Sequence, residues 1–84
     1  MSTAVAGQFG RNLKRERERA GINQEELGVR ASLHRTEISQ LERGLRVPRI
    51  DTLVQLAGSL SIKPEDLLDG LAWNPGTITR GGYA

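Results

Sequence analysis

Between residues 8 and 70 apolar positions recur at helical spacing, and no strand-like alternation interrupts them. A first helix is predicted over Gln8 to Ala20, with Phe9, Leu13 and Ala20 at recurring positions and Gly21 as its stop signal. Residues 1–7 are small and unpatterned and read as a flexible arm. Asn23 is suited to cap a second helix over Gln24 to Ala31, accepting a backbone N–H one turn in, with Glu25 and Glu26 favourable to the helix dipole. Leu27 and Ala31 share one face of it. After a break at Ser32-Leu33 a third helix runs to Glu42 or Arg43 and stops at Gly44. Leu45 to Arg49, with Pro48, is a loop. A fourth helix over Asp51 to Leu60 carries a core stripe of Leu53, Leu56, Ala57 and Leu60. Pro64 opens a fifth helix ending near Gly70, with Glu65 and Asp66 in its first turn. The expectation is an all-α, compact five-helix unit over residues 8–70, followed by a short irregular tail over 71–84. In that tail Asn74-Pro75-Gly76 is a turn signal, and Thr77-Ile78-Thr79 has room for a very short extended piece.

Two short helices, 24–31 and 34–43, joined by a tight break are the arrangement of a helix-turn-helix. With Ile38 set at zero and about 100° per residue, Leu41, Glu42 and Leu45 fall within roughly 60° of it and define the buried side. Thr36, Ser39, Gln40 and Arg43 lie opposite, with Arg35 on the flank of the first turn. Such a face suits groove reading: an arginine grips guanine O6 and N7, and a glutamine grips adenine N6 and N7.

A chain of 84 residues makes one domain, and at this size only about 60–65% of the unfolded surface is buried. The absence of cysteine excludes disulfides and thiolate zinc sites, and one histidine, His34, leaves too few ligands for an all-protein metal site. No cofactor is expected. No apolar run approaches the roughly 18 residues of a spanning helix, and the first residues do not form a secretory signal, so a cytoplasmic location is expected. There is no phosphate-cradling glycine loop, no nucleophile–base–acid set and no metal-ligand cluster, so no enzyme is expected. Net charge is only +2, but Arg11 to Arg49 holds ten Lys/Arg against six Asp/Glu, and Ile50 onward two against four. This asymmetry fits a face for a polyanion, and equally an ordinary mixed-charge surface. Lys14 to Arg19 is an unbroken run of charges, most of which must face solvent.

Taken together, Leu13, Arg17, the string Gly21 to Leu27, the string His34 to Gly44, Pro48 to Leu53, and Glu65 to Leu68 form one pattern covering about two-thirds of the chain. It resembles the Xre/Cro-repressor family of helix-turn-helix transcriptional regulators, which have the lambda-repressor-like fold. The resemblance implies a sequence-specific regulator, a dimeric repressor reading double-stranded DNA at a palindromic operator. It assigns base contacts to Arg35, Thr36 and Gln40, with Ser39 beside them. Asn23, Gln24, Arg43, Arg46 and Arg49 become phosphate contacts, which fix register and supply salt-sensitive affinity. It makes Arg17 and Glu42 a structural ion pair, although spacing alone favours Glu16 as much as Arg17.

Several positions depart from the family pattern. Ser32 and Ser61 stand where glycine is frequent, at a steric cost if those sites keep positive φ. Gly28 stands inside a helix where alanine is usual, at about 1 kcal/mol, unless it permits a close approach of the third helix. His34 replaces a capping hydroxyl and is expected to serve helix-start packing or a phosphate contact. Leu67, Leu68, Leu71 and Trp73 make an apolar end that either forms a two-fold interface or folds back on its own subunit. A competing reading is an antitoxin-type module whose tail binds a protein partner while the domain binds operator DNA.

Overall fold

The computed structural model describes residues 3–75 and 81–83. Five helices, α1 (Thr3–Arg19), α2 (Gln24–Ala31), α3 (Arg35–Glu42), α4 (Ile50–Ser59) and α5 (Pro64–Leu67), precede two short strands, β1 (Trp73–Pro75) and β2 (Gly81–Tyr83). The helices surround one core built from Phe9 and Leu13 of α1, Leu27 and Ala31 of α2, Ile38 and Leu41 of α3, Leu53, Leu56 and Ala57 of α4, and Leu67 of α5. Ile22 and Leu60 join it from the turns, with Leu33 and Ile62 packed at its rim. Each fully buried leucine, isoleucine or phenylalanine contributes roughly 1.5–3 kcal/mol by leaving water.

The first helix begins at Thr3, so the stretch expected as a flexible arm is helical over Thr3 to Gly7. Packing explains the extension. Ala6 is buried, and a Cβ placed on Gly44 would lie only 3.0 Å from Gly7 Cα. A Cβ on Gly10 would lie 2.5 Å from the carbonyl oxygens of both Leu41 and Glu42. The small residues at 6, 7 and 10 thus let α1 press its backbone onto the C-terminal end of α3. Ala20, expected in the core stripe, is exposed because the helix stops at Arg19 and the chain turns at Gly21.

Four of the helices end the same way. Residues Gly21, Ser32, Gly44 and Ser61 take positive φ between 56° and 73°. Each donates its N–H back into the helix, and the next residue donates one step further back, closing a Schellman turn. Ser32 and Ser61 do hold the left-handed conformation, at φ 57° and 56°.

Asn12 is wholly buried and fully bonded. Its amide nitrogen donates to the carbonyls of Leu67 (3.0 Å) and Asp69 (2.8 Å). Its oxygen accepts from Gln8 Nε2 and Arg15 Nη1. Arg15 also donates to the Asp66 carbonyl at 3.2 Å. These side chains of α1 take the carbonyls at the end of α5, which closes at Leu67 rather than near Gly70. Glu16 is buried despite its place in the charged run, held by Arg15 and Arg19.

Within the tail, expected to be irregular, the described residues include a strand pair. β1 and β2 pair antiparallel, with Trp73 opposite Tyr83 and Pro75 opposite Gly81. The extended piece expected at Thr77-Ile78-Thr79 lies outside the described residues. Leu67, grouped with the tail by sequence, belongs to the monomer core, whereas Leu68 and Trp73 are exposed and Leu71 is half-buried. Among the described residues no helix is long and apolar enough to cross a membrane.

Candidate nucleic-acid interface

The break between α2 and α3 is tight because Gly28 has no side chain. A Cβ there would meet the Leu33 carbonyl oxygen at 2.6 Å. The same segment is tied by a 2.8 Å bond from Leu33 N–H to the Gly28 carbonyl. His34 then caps α3: its Nδ1 accepts the Thr36 N–H at 3.0 Å. Histidine therefore performs the capping that sequence reasoning denied it, using an unprotonated ring nitrogen where a hydroxyl is common. At the head of α2, Asn23 Oδ1 accepts the Glu26 N–H at 2.8 Å, leaving the Asn23 amide hydrogens for an external acceptor.

An ion pair fixes α3 from behind. Arg17 Nε and Nη2 bond the two oxygens of Glu42 at 2.5 and 3.0 Å, and Arg17 Nη1 donates to the Ile22 carbonyl at 2.9 Å. Both side chains are largely buried. The hydrogen bond to Glu42 raises the Arg17 pKa above its ordinary value, against the opposing effect of burial. Gln24 joins them, donating Nε2 to Glu42 Oε1 at 3.1 Å. Gln24 was expected to face phosphate. One of its amide hydrogens is committed inward, which leaves the other for that role.

On the opposite side of α3, Arg35, Thr36 and Arg43 are exposed, while Ser39 and Gln40 are half-buried. Arg35 also borders an open depression of about 310 Å³ lined by Arg17, Asn23, Gln24 and Glu25, so cations, an anion and the head of α2 share one concave spot. Arg43 makes no ion pair among the described residues. Arg46 Nη1 donates to Gln40 Oε1 at 3.2 Å, and Arg49 pairs with Asp51 at 3.2 Å on the surface. Leu45 is not on the buried side as its helical projection implied; it is 59% exposed because α3 ends at Glu42 and the chain turns at Gly44. Sequence reasoning missed the small-residue contact at Gly10, whose signal was its i, i+3 spacing from Gly7. It also missed the side-chain bonds of Arg46 and Gln24, for which no local pattern existed.

A protein-family model described as a helix-turn-helix domain matches residues 8–71. The chain belongs to the helix-turn-helix domain family. This helix-turn-helix chain is 37% identical over 62 residues to the control protein C.BamHI of Bacillus amyloliquefaciens, across 73% of this chain and 76% of that protein. The restriction-modification controller protein C.AhdI from Aeromonas hydrophila has a similar structure, with a TM-score of 0.75 and 32% identity, covering 77% of this chain and 94% of that one. The P22 c2 repressor, solved in complex with a synthetic operator, superposes with a TM-score of 0.68 and 31% identity, covering 74% and 94%. Among the described residues no group of His, Cys, Asp and Glu could hold a metal ion.

Proposed function

We propose that this protein is a sequence-specific double-stranded DNA-binding regulator of transcription that lays α3 in the major groove. The observation that carries the reading is the outward face of α3. Arg35, Thr36, Ser39 and Gln40 project from a helix capped at its start by His34 and braced from behind by Arg17 and Gly10, with exposed Arg43 just past its end. Arg35, Thr36, Ser39 and Gln40 meet base edges. Asn23, the second amide hydrogen of Gln24, and Arg43 meet phosphates flanking the groove. Arg49 reaches a phosphate from the loop before α4.

The working unit is a homodimer on a palindromic operator, since one domain offers a single recognition helix and two-fold symmetry sets two about 34 Å apart. Exposed Leu68 and Trp73, with Ile50 and Val54 one turn apart on α4, supply apolar surface for the partner copy. Its relatives, a restriction-modification controller protein and a repressor solved on a synthetic operator, favour control of a small set of promoters.

Selection from random duplex DNA tests the reading. A symmetric enriched site supports it; binding indifferent to both sequence and salt overturns it. A second reading, a protein partner held by the tail, is favoured by Trp73, 55% exposed on its strand. Co-purification of a small protein, lost on deletion of residues 71–84, would support that alternative.

A further inference from the structure

The amide of Gln40 has its orientation set by a neighbour. Arg46 Nη1 lies 3.2 Å from its Oε1. A guanidinium carries only donors, so the atom facing it must be the amide oxygen. The backbone brings Arg46 to that spot. Gly44 takes φ 72°, and the Leu45 N–H returns to the Gln40 carbonyl at 3.0 Å, so the chain doubles back along the end of α3. Gly44 is itself pressed against Gly7 of α1, which fixes the turn.

A glutamine held this way turns its Nε2 hydrogens away from Arg46, and one lone pair of its oxygen is already engaged. Reading adenine requires both halves of the amide, the oxygen accepting from N6 and the nitrogen donating to N7. Arg46 and Gln40 together offer mainly N–H donors. The major-groove edge with two neighbouring acceptors and no donor is that of guanine, with O6 and N7.

The geometry points to Arg46 as a specificity-determining residue: by holding Oε1 of Gln40, it sets the pair to read guanine rather than adenine at the base facing Gln40. This rests on the DNA-binding reading above, and it gives Arg46 a task beyond the phosphate contact expected from sequence.

The test is selection from random duplex DNA with the full chain and with Gln40→Ala, Arg46→Ala and Arg46→Lys. The relevant base is the one whose preference disappears in Gln40→Ala. There the unaltered protein favours guanine over adenine by at least about fivefold. Arg46→Ala erases or reverses that preference, and Arg46→Lys, which keeps a donor beside Gln40, retains it. Adenine preferred by the unaltered protein overturns the inference, as does a Gln40→Ala variant with unchanged preferences. So does an Arg46→Ala variant that only binds all sequences more weakly, which would return Arg46 to phosphate binding. Failure of the unaltered protein to enrich any sequence overturns the DNA-binding reading itself, so the two failures are distinguishable.

Discussion

Arg17 of α1 and Glu42 of α3 meet through two parallel hydrogen bonds, Nε to Oε2 at 2.5 Å and Nη2 to Oε1 at 3.0 Å. Removing either partner leaves a charge stranded in a poorly solvated place. Arg17→Met should therefore destabilise the fold by about 3–5 kcal/mol, while Arg17→Met combined with Glu42→Leu should lose less than the sum of the single changes. Urea denaturation of the four proteins measures both. Because the Arg17 pKa is raised, chiefly by its bond to Glu42, the arginine's contribution is fully present below the ordinary arginine value. It is lost only as pH rises through the folded-state value, so the arginine side adds no pH dependence between mild acid and mild alkali. Equal destabilisation by the double and summed single changes would mean that the two groups do not act as a pair.

Three glycines should respond differently to alanine. At Gly10 the new Cβ would lie 2.5 Å from two backbone carbonyls of α3, and at Gly28 2.6 Å from the Leu33 carbonyl. Backbone cannot swing aside as a side chain can, so Gly10→Ala and Gly28→Ala should each cost about 1–3 kcal/mol despite better helix propensity. At Gly58 nothing lies within 4 Å. Gly58→Ala should stabilise by roughly 0.5–1 kcal/mol. Thermal melts should separate the three, and a stabilising Gly10→Ala would show that α1 and α3 are not packed backbone to backbone.

Ser32 and Ser61 offer stability in the opposite direction. Both sit at φ near 57° in turns that Gly21 and Gly44 close without a Cβ. Relief of the left-handed strain outweighs the extra freedom glycine gives the unfolded chain, so Ser32→Gly and Ser61→Gly should each stabilise by about 0.5–1 kcal/mol. The two turns lie at different helix ends, so the double variant should show the sum in chemical denaturation.

These glycine and serine positions also mark how far the sequence could be read. Periodicity located α2, α3 and α4 to within a residue because each buries apolar side chains that recur at helical spacing. The beginning of α1 was hidden because Ala6, Gly7 and Gly10 pack by being small, and small residues carry no hydrophobic period. The shortness of α5 was hidden because Asn12 and Arg15, more than fifty residues earlier in the chain, bind the carbonyls of Asp66 and Leu67 at its end and of Asp69 just beyond it. On α3, the outward positions follow from a helical wheel, but Leu45 does not, since the wheel ends where Gly44 turns. Orientation of the amides of Gln24 and Gln40 depends on Glu42 and Arg46. Such long side-chain bonds leave no trace in residue spacing.

Arg43 separates affinity from specificity. It is the residue after α3, exposed, with no ion pair among the described residues. A carboxylate beside it would already have displaced its counterions, whereas an unpaired guanidinium is available to replace a cation condensed on DNA. Each phosphate neutralised contributes about 0.9 to the slope of log affinity against log salt. Arg43→Ala should therefore weaken binding to every sequence and reduce that slope by about 0.9, leaving the preferred site unchanged. Thr36→Ala should do the reverse, changing base preference with the slope intact. Titrations of one selected duplex and one scrambled duplex over a range of salt concentrations measure both. An unchanged slope in Arg43→Ala would remove Arg43 from the phosphate contacts, and the balance of affinity would then fall on Asn23, Gln24 and Arg49.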